Sequence, residues 1–172
     1  MYVPYNAANY PMFEVSDHLL YPSIGPSSSM DMDTLTRLAD EGYDCAQIII
    51  KAFENELGDS YPAAMKAVSC MSMGLLQGLL CGAVIGALTV IGFKYGAETP
   101  DISSRGLCMV KREMFFMEYR KRVQGTTCPE ILGLDVRKNE DNIRAIKENL
   151  FTDKCPRMFM DIIEIVKGII GA

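Results

Sequence analysis

From Ala67 to Phe93 the chain carries no charged side chain, and glycines fall at Gly74, Gly78, Gly82 and Gly86, one every fourth residue. A run of this kind belongs either in a bilayer or in the middle of a protein core. Glycine at every fourth position would strip one helix face of side chains, as in close helix packing within membranes. Against a bilayer span stand Ser69, Ser72, Gln77 and Thr89, with no flanking basic cluster and no aromatic belt. In water each glycine inside a helix costs roughly 0.8–1.0 kcal/mol relative to alanine, so the pattern predicts a break around Met73–Leu80. Two helices result, about 62–72 and 81–96, joined by a Gly-rich turn that delivers Cys81 near a helix start. The second is expected to be the central buried helix, and membrane association is the weaker reading.

The rest of the chain supplies what such a helix would pack against. Residues 1–30 are rich in Tyr, Pro, Ser and Asn without helical or strand period, and read as an extended arm. Its aromatic residues suit packing along its own domain or around a partner subunit, which admits a homo-oligomer. Residues 31–172 read as one helical domain. A first helix is expected to start near Ser29 as N-cap, with Asp31 and Asp33 in its first turn. A second stripe, Cys45, Ile48, Ile49, Ala52 and Phe53, runs to Leu57-Gly58. A helix over 103–124 shows Leu107, Val110, Met114 and Met117 on one face. A short polar helix over 139–150 and a last helix over 155–170, burying Phe159, Ile162, Ile163, Val166 and Ile169 or Ile170, complete the pattern. The fold class is all-α: a compact helical bundle with a Gly-rich central helix and an extended N-terminal arm.

The net charge of −5 argues against nucleic acid as a partner. Arg105, Lys111, Arg112, Arg120, Lys121 and Arg122 crowd onto the 105–122 helix, either as a solvated face or as a docking face for an acidic redox partner. The N-terminus lacks the basic and apolar regions of a secretory signal, so a reducing cytoplasm is the expected compartment. There cysteines serve as ligands or redox groups more often than as disulfides.

The six cysteines are Cys45, Cys70, Cys81, Cys108, Cys128 and Cys155. No CxxC pair occurs, which removes zinc-ribbon and thioredoxin-type motifs, and no CxxCH occurs, which removes covalent haem of that type. Cys128-Pro129 and Cys155-Pro156 share a design, because proline favours the first helical position and sets its cysteine at a helix N-terminus. A thiolate there meets the positive end of the helix dipole and free backbone N–H groups, which are expected to lower its pKa. Cys81, after the break, shares this position, and Gly82 lets backbone approach its sulfur. Cys70, among Val68, Met71 and Met73, and Cys108, beside Leu107, read as packing residues. There is no nucleophile–base pair, phosphate loop or dinucleotide fingerprint, so a stand-alone enzyme is disfavoured.

The string Cys81-Gly82-Ala83-Val84-Ile85-Gly86, preceded by Gly78, with Gly42-Tyr43-Asp44-Cys45-Ala46-Gln47 upstream and Cys128 and Cys155 downstream, resembles the C_GCAxxG_C_C family of redox-active bacterial and archaeal proteins. The resemblance covers roughly residues 31–170 and maps the family's cysteines onto Cys45, Cys81, Cys128 and Cys155. A similar domain occurs in split-Soret cytochrome c, where it carries an iron–sulfur cluster beside separately bound haem. The sole histidine, His18, lies in the arm, so the resemblance implies the cluster without haem. It implies an electron carrier or redox subunit with those four cysteines as cofactor and metal ligands, [2Fe–2S] favoured over [4Fe–4S]. A metal-free thiol–disulfide protein, a membrane-associated accessory protein and a structural zinc site stay open as alternatives. This family usually has a more Gly-rich approach than Met71-Ser72-Met73-Gly74-Leu75-Leu76-Gln77-Gly78.

Overall fold

The uncharged run resolves into a turn followed by a buried helix. The structure, a computed structural model, describes residues 30–172. Numbered in chain order, the helices are α1 (Met32–Asp40), α2 (Cys45–Lys51), α3 (Glu54–Leu57), α4 (Tyr61–Val68), α5 (Gly82–Tyr95), α6 (Ile102–Arg122), α7 (Cys128–Leu132), α8 (Asn139–Lys147), α9 (Leu150–Asp153) and α10 (Cys155–Ile170). The domain is all-α, and α5 is its centre, packed against α2, α4, α6 and α10. At 1.5 Å per residue its 14 residues extend about 21 Å, short of a bilayer's ~30 Å hydrocarbon thickness. Among the described residues no helix is long and apolar enough to cross a membrane. The extended arm expected before residue 31 lies, but for Met30, outside the described residues.

The break between α4 and α5 falls where the glycines predict it. Ser69 ends α4, its Oγ donating to Lys66 O at 2.8 Å. A single 3₁₀ turn, Ser72–Gly74, follows. Met73, Gly74, Leu75 and Leu76 then take positive φ in succession, 51°, 63°, 59° and 54°. Only Gly74 does so without steric cost. Leu76 and Leu79 in this segment are 63% and 51% exposed.

Several boundaries differ from the sequence pattern for identifiable reasons. The cap of α1 is Asp31, whose carboxylate accepts from Thr34 N, and not Ser29, which lies outside the described residues. A Schellman closure ends α1, with Gly42 at φ +93° and Tyr43 N donating to Leu38 O at 3.1 Å. The 45–57 stripe is two helices, because the backbone tightens after Lys51 so that Phe53 N donates to Ile50 O, and Phe53 becomes fully buried. On α6 the inward face is Lys111, Phe115 and Tyr119, while Met117 points outward at 60% exposure. That stripe has the same helical spacing as the expected one but is rotated, because two aromatic rings and the lysine stem fill the space beside α10.

Lys111 therefore leaves the expected basic docking face. It is fully buried, its Nζ 4.8 Å from the centre of the Tyr95 ring and donating to Ile169 O at 3.4 Å. Arg112 pairs with Glu113, Lys121 with Glu118, and Arg122 with Glu164 and Asp161.

Two glycines of α5 separate packing from propensity. A Cβ on Gly86 would stand 2.7 Å from Ala46 O and 3.0 Å from Ile49 Cβ, whereas one on Gly92 meets nothing within 4 Å. Gly86→Ala should destabilise by about 1–3 kcal/mol less its helix-propensity gain, because backbone of α2 cannot yield. Gly92→Ala should stabilise by about 0.5–1 kcal/mol. Opposite shifts of the thermal midpoint check this.

Candidate functional site

The four sequence-selected cysteines arrive by one local device. Cys45 is the first residue of α2, Cys128 of α7 and Cys155 of α10, and Cys81 is the N-cap of α5. The expectation for the two Cys-Pro pairs shifts by one residue, since Thr127 and Lys154 are the caps and Pro129 and Pro156 occupy second positions. Cys45, expected on the apolar face of a long helix, sits at a helix start too. Asp44 caps α2 by accepting from Ala46 N and Gln47 N, both at 2.9 Å, while Gln47 Oε1 accepts from Asp44 N. Asp44-x-x-Gln47 is a capping box legible in the sequence.

All four cysteines line one cavity of about 310 Å³. Its walls are chiefly apolar, with Leu35, Ile48, Met73, Phe151 and Phe159 prominent. It lies between the main core and a smaller cluster of Cys128, Leu132 and Val136, against which Met73, Phe151 and Cys155 pack. Cys81 and Cys128 are buried, Cys45 and Cys155 half-buried, and none is in a disulfide. Cys70 and Cys108 line no part of this cavity; Cys70 is exposed, contrary to its reading as a core residue, and Cys108 is half-buried.

Glycine makes the convergence sterically possible. A Cβ on Gly82 would stand 2.5 Å from Cys45 Sγ and 2.5 Å from Met71 O. The sulfur of α2 thus occupies the space that a side chain at the start of α5 would need. The Cys81 and Cys128 segments are joined edge to edge: Leu80 and Thr127 form an isolated antiparallel bridge, and Cys81 N donates to Thr126 O at 2.8 Å. Glu130 folds back to accept from Thr126 N and Thr127 N at 2.8 and 3.1 Å.

The thiols form a linked set. Cys81 lies between Cys45 and Cys128, close enough to each for the three thiols to perturb one another's ionisation. The Met73 amide favours the thiolate of Cys45, and the Ala83 amide that of Cys81, each as a minor influence. The helix starts at Cys81 and Cys155 were expected to lower their pKa values, but both are raised, and so is that of Cys45. Hydrogen bonding to Cys81, with burial next, holds Cys45 well above the ordinary thiol range. Hydrogen bonding to Cys128, reinforced by burial, pushes Cys81 up to about 12. Burial and the nearby Cys45 push Cys155 up to about 12 against the pull of Lys154. Neighbouring sulfurs cannot all be anionic in an apolar pocket, and that outweighs the helix dipoles. Among the described residues no three His, Cys, Asp or Glu side chains are gathered tightly enough to hold a single metal ion.

The family model described as "Putative redox-active protein (C_GCAxxG_C_C)" matches residues 43–169. The chain belongs to this family. The match takes in all four cavity cysteines and every helix from α2 onward, with only Ile170 of α10 beyond it. No curated protein and no solved structure matches the chain significantly.

The sequence pattern singled out the cysteines but not Tyr119, Met73 or Glu130, which hold or touch them. Thr127-x-x-Glu130 is a second capping box that the sequence does display. Met73 has no comparable signal, because only the left-handed turn brings it to the cavity.

The raised thiols have consequences in metal-free protein. Iodoacetamide at pH 8 should modify Cys70 first and leave Cys81 and Cys155 largely unmodified, as read by peptide mass spectrometry. Cys81 and Cys155 hold protons more tightly folded, near 12, than at the ordinary value of 9.0. Their contribution to stability is therefore intact below about pH 9 and is lost as pH rises toward 12. Urea midpoints should fall across that window, less steeply in Cys155→Ser.

Proposed function

We propose that this chain is an electron carrier or redox subunit that holds an iron–sulfur cluster on Cys45, Cys81, Cys128 and Cys155. The observation that carries this reading is that four helix starts place four thiols around one cavity. The residues fit such a group on three counts. The donor set is all thiol, as [2Fe–2S] and [4Fe–4S] centres require. The amides of Met73 and Ala83 favour the thiolate forms of Cys45 and Cys81, the kind of influence that tunes a cluster's potential. Burial and neighbouring sulfurs hold three of the thiols protonated near neutral pH, so a compensating positive charge, which iron would supply, favours their joint ionisation. Sulfurs spread around a cavity of this size suit a group larger than a single ion, which favours a cluster over structural zinc. The choice of [2Fe–2S] rests on the resemblance to the split-Soret domain.

A bound cluster supplies one-electron oxidation and reduction. The chain's own residues do the rest. Leu35, Ile48, Phe151 and Phe159 keep the cavity apolar, Gly82 admits the Cys45 sulfur, and the Leu80–Thr127 bridge sets Cys81 beside Cys128.

The proximity of Cys81 to both Cys45 and Cys128 supports a second reading, thiol–disulfide exchange. Two of these thiols would form a disulfide while a substrate disulfide is reduced to two thiols.

Anaerobic reconstitution with iron and sulfide separates the readings. Serine at Cys45, Cys81, Cys128 or Cys155 should abolish or bleach visible absorbance, and serine at Cys70 or Cys108 should leave it intact. Protein that takes up neither iron nor sulfide overturns the cluster and promotes thiol exchange.

A further inference from the structure

We propose that Tyr119 is a positioning residue that fixes the Cys128 segment against Cys81. It stands on α6, which brings no cysteine to the cavity. Its side chain is fully buried, and its hydroxyl donates to Gly125 O at 3.0 Å, with Met158 Sδ at 3.7 Å from the same oxygen. Gly125, at φ +81°, opens the strand-like segment that ends in Cys128. Lys154 Nζ donates to Leu132 O at 3.0 Å and ties the far end of α7 to the start of α10, whereas the ties at the Thr126–Cys128 end have a different character. Glu130 binds Thr126 and Thr127 from within the segment's own helix and cannot set its place relative to the bundle. Thr126 O and Thr127 hold it to the Leu80–Cys81 segment, itself attached to the left-handed turn. Tyr119 anchors the pair to the long helix α6. Without that bond the Gly125 carbonyl loses a buried partner, and the Cys81–Thr126 contact loses its fixed support.

The positioning stands on the hydrogen bonds alone; its bearing on redox behaviour rests on the cluster reading. Tyr119→Phe keeps the ring and removes the hydroxyl. Tyr95→Phe is the matched control, losing a 2.9 Å bond to Ile169 O at the far end of α5, about 21 Å from Cys81 by helix rise. The readout is the Cys81 amide, whose acceptor is Thr126 O, followed by NMR hydrogen exchange in metal-free protein. Its exchange should accelerate about three- to tenfold relative to the Val90 amide in Tyr119→Phe, and stay at the wild-type ratio in Tyr95→Phe. An unchanged ratio in Tyr119→Phe overturns the proposal, because general destabilisation moves both amides together. If Tyr119→Phe does not fold, the wild-type hydroxyl proton decides: slow exchange supports the bond to Gly125, and exchange as fast as that of an exposed tyrosine overturns it. In reconstituted protein the midpoint potential should shift in Tyr119→Phe and not in Tyr95→Phe. If the Cys81 amide responds but neither iron nor sulfide is taken up, the positioning stands and the cluster reading falls.

Discussion

The approach of α2 to α5 is the contact on which the remainder of the molecule depends. At Gly82 and Gly86 the two helices lie closer than any side chain would allow, with Cys45 Sγ over the first and Ala46 O over the second. That proximity fixes the entry of α2, hence the Asp44 cap, hence the direction of Cys45. It also makes α5 the innermost element, around which α6 and α10 complete the core. A helix with glycine at these positions forfeits propensity, and tertiary packing compensates. The C-G-A-x-x-G string is thus two things at once: a thiol, and the two bare positions that let a second thiol come near it.

Convergence brings an electrostatic conflict. Helix starts favour anions, yet the thiols of Cys45, Cys81 and Cys155 are harder to ionise than ordinary cysteines because they face one another across an apolar space. Under the proposed cluster reading, a pocket that opposes several thiolates at once favours a guest that brings positive charge. It also protects the thiols from adventitious alkylation and oxidation, since the reactive form is scarce near neutral pH.

Much of this was readable from residues, and the failures have physical causes. The uncharged run with glycine every fourth residue fixed both the break and the buried helix, because charge and glycine act locally. The four cysteines stood out because Cys-Pro and C-G-A-x-x-G have defined positional meaning. The inward face of α6 was missed because Leu107-Val110-Met114-Met117 and Lys111-Phe115-Tyr119 are both sound helical stripes, and only the neighbouring helices choose between them. The thiol pKa shifts were inverted because a sequence shows each helix dipole but not the other sulfurs. The division of the 45–57 stripe at Lys51 comes from burial of Phe53, a tertiary demand with no local marker.

The left-handed run at Met73–Leu76 has a kinetic meaning. Each non-glycine residue held at positive φ costs about 1–3 kcal/mol, and the exposed Leu76 side chain returns little through burial. This wall of the cavity is therefore its weakest, and local opening will visit it long before the helices α5 or α10 unravel. Because Met73 lines the cavity beside Cys45, each such opening exposes more of that sulfur. Cys45 and Cys155 already meet solvent in part, and opening of this one turn widens access to Cys45 without any loss of the bundle.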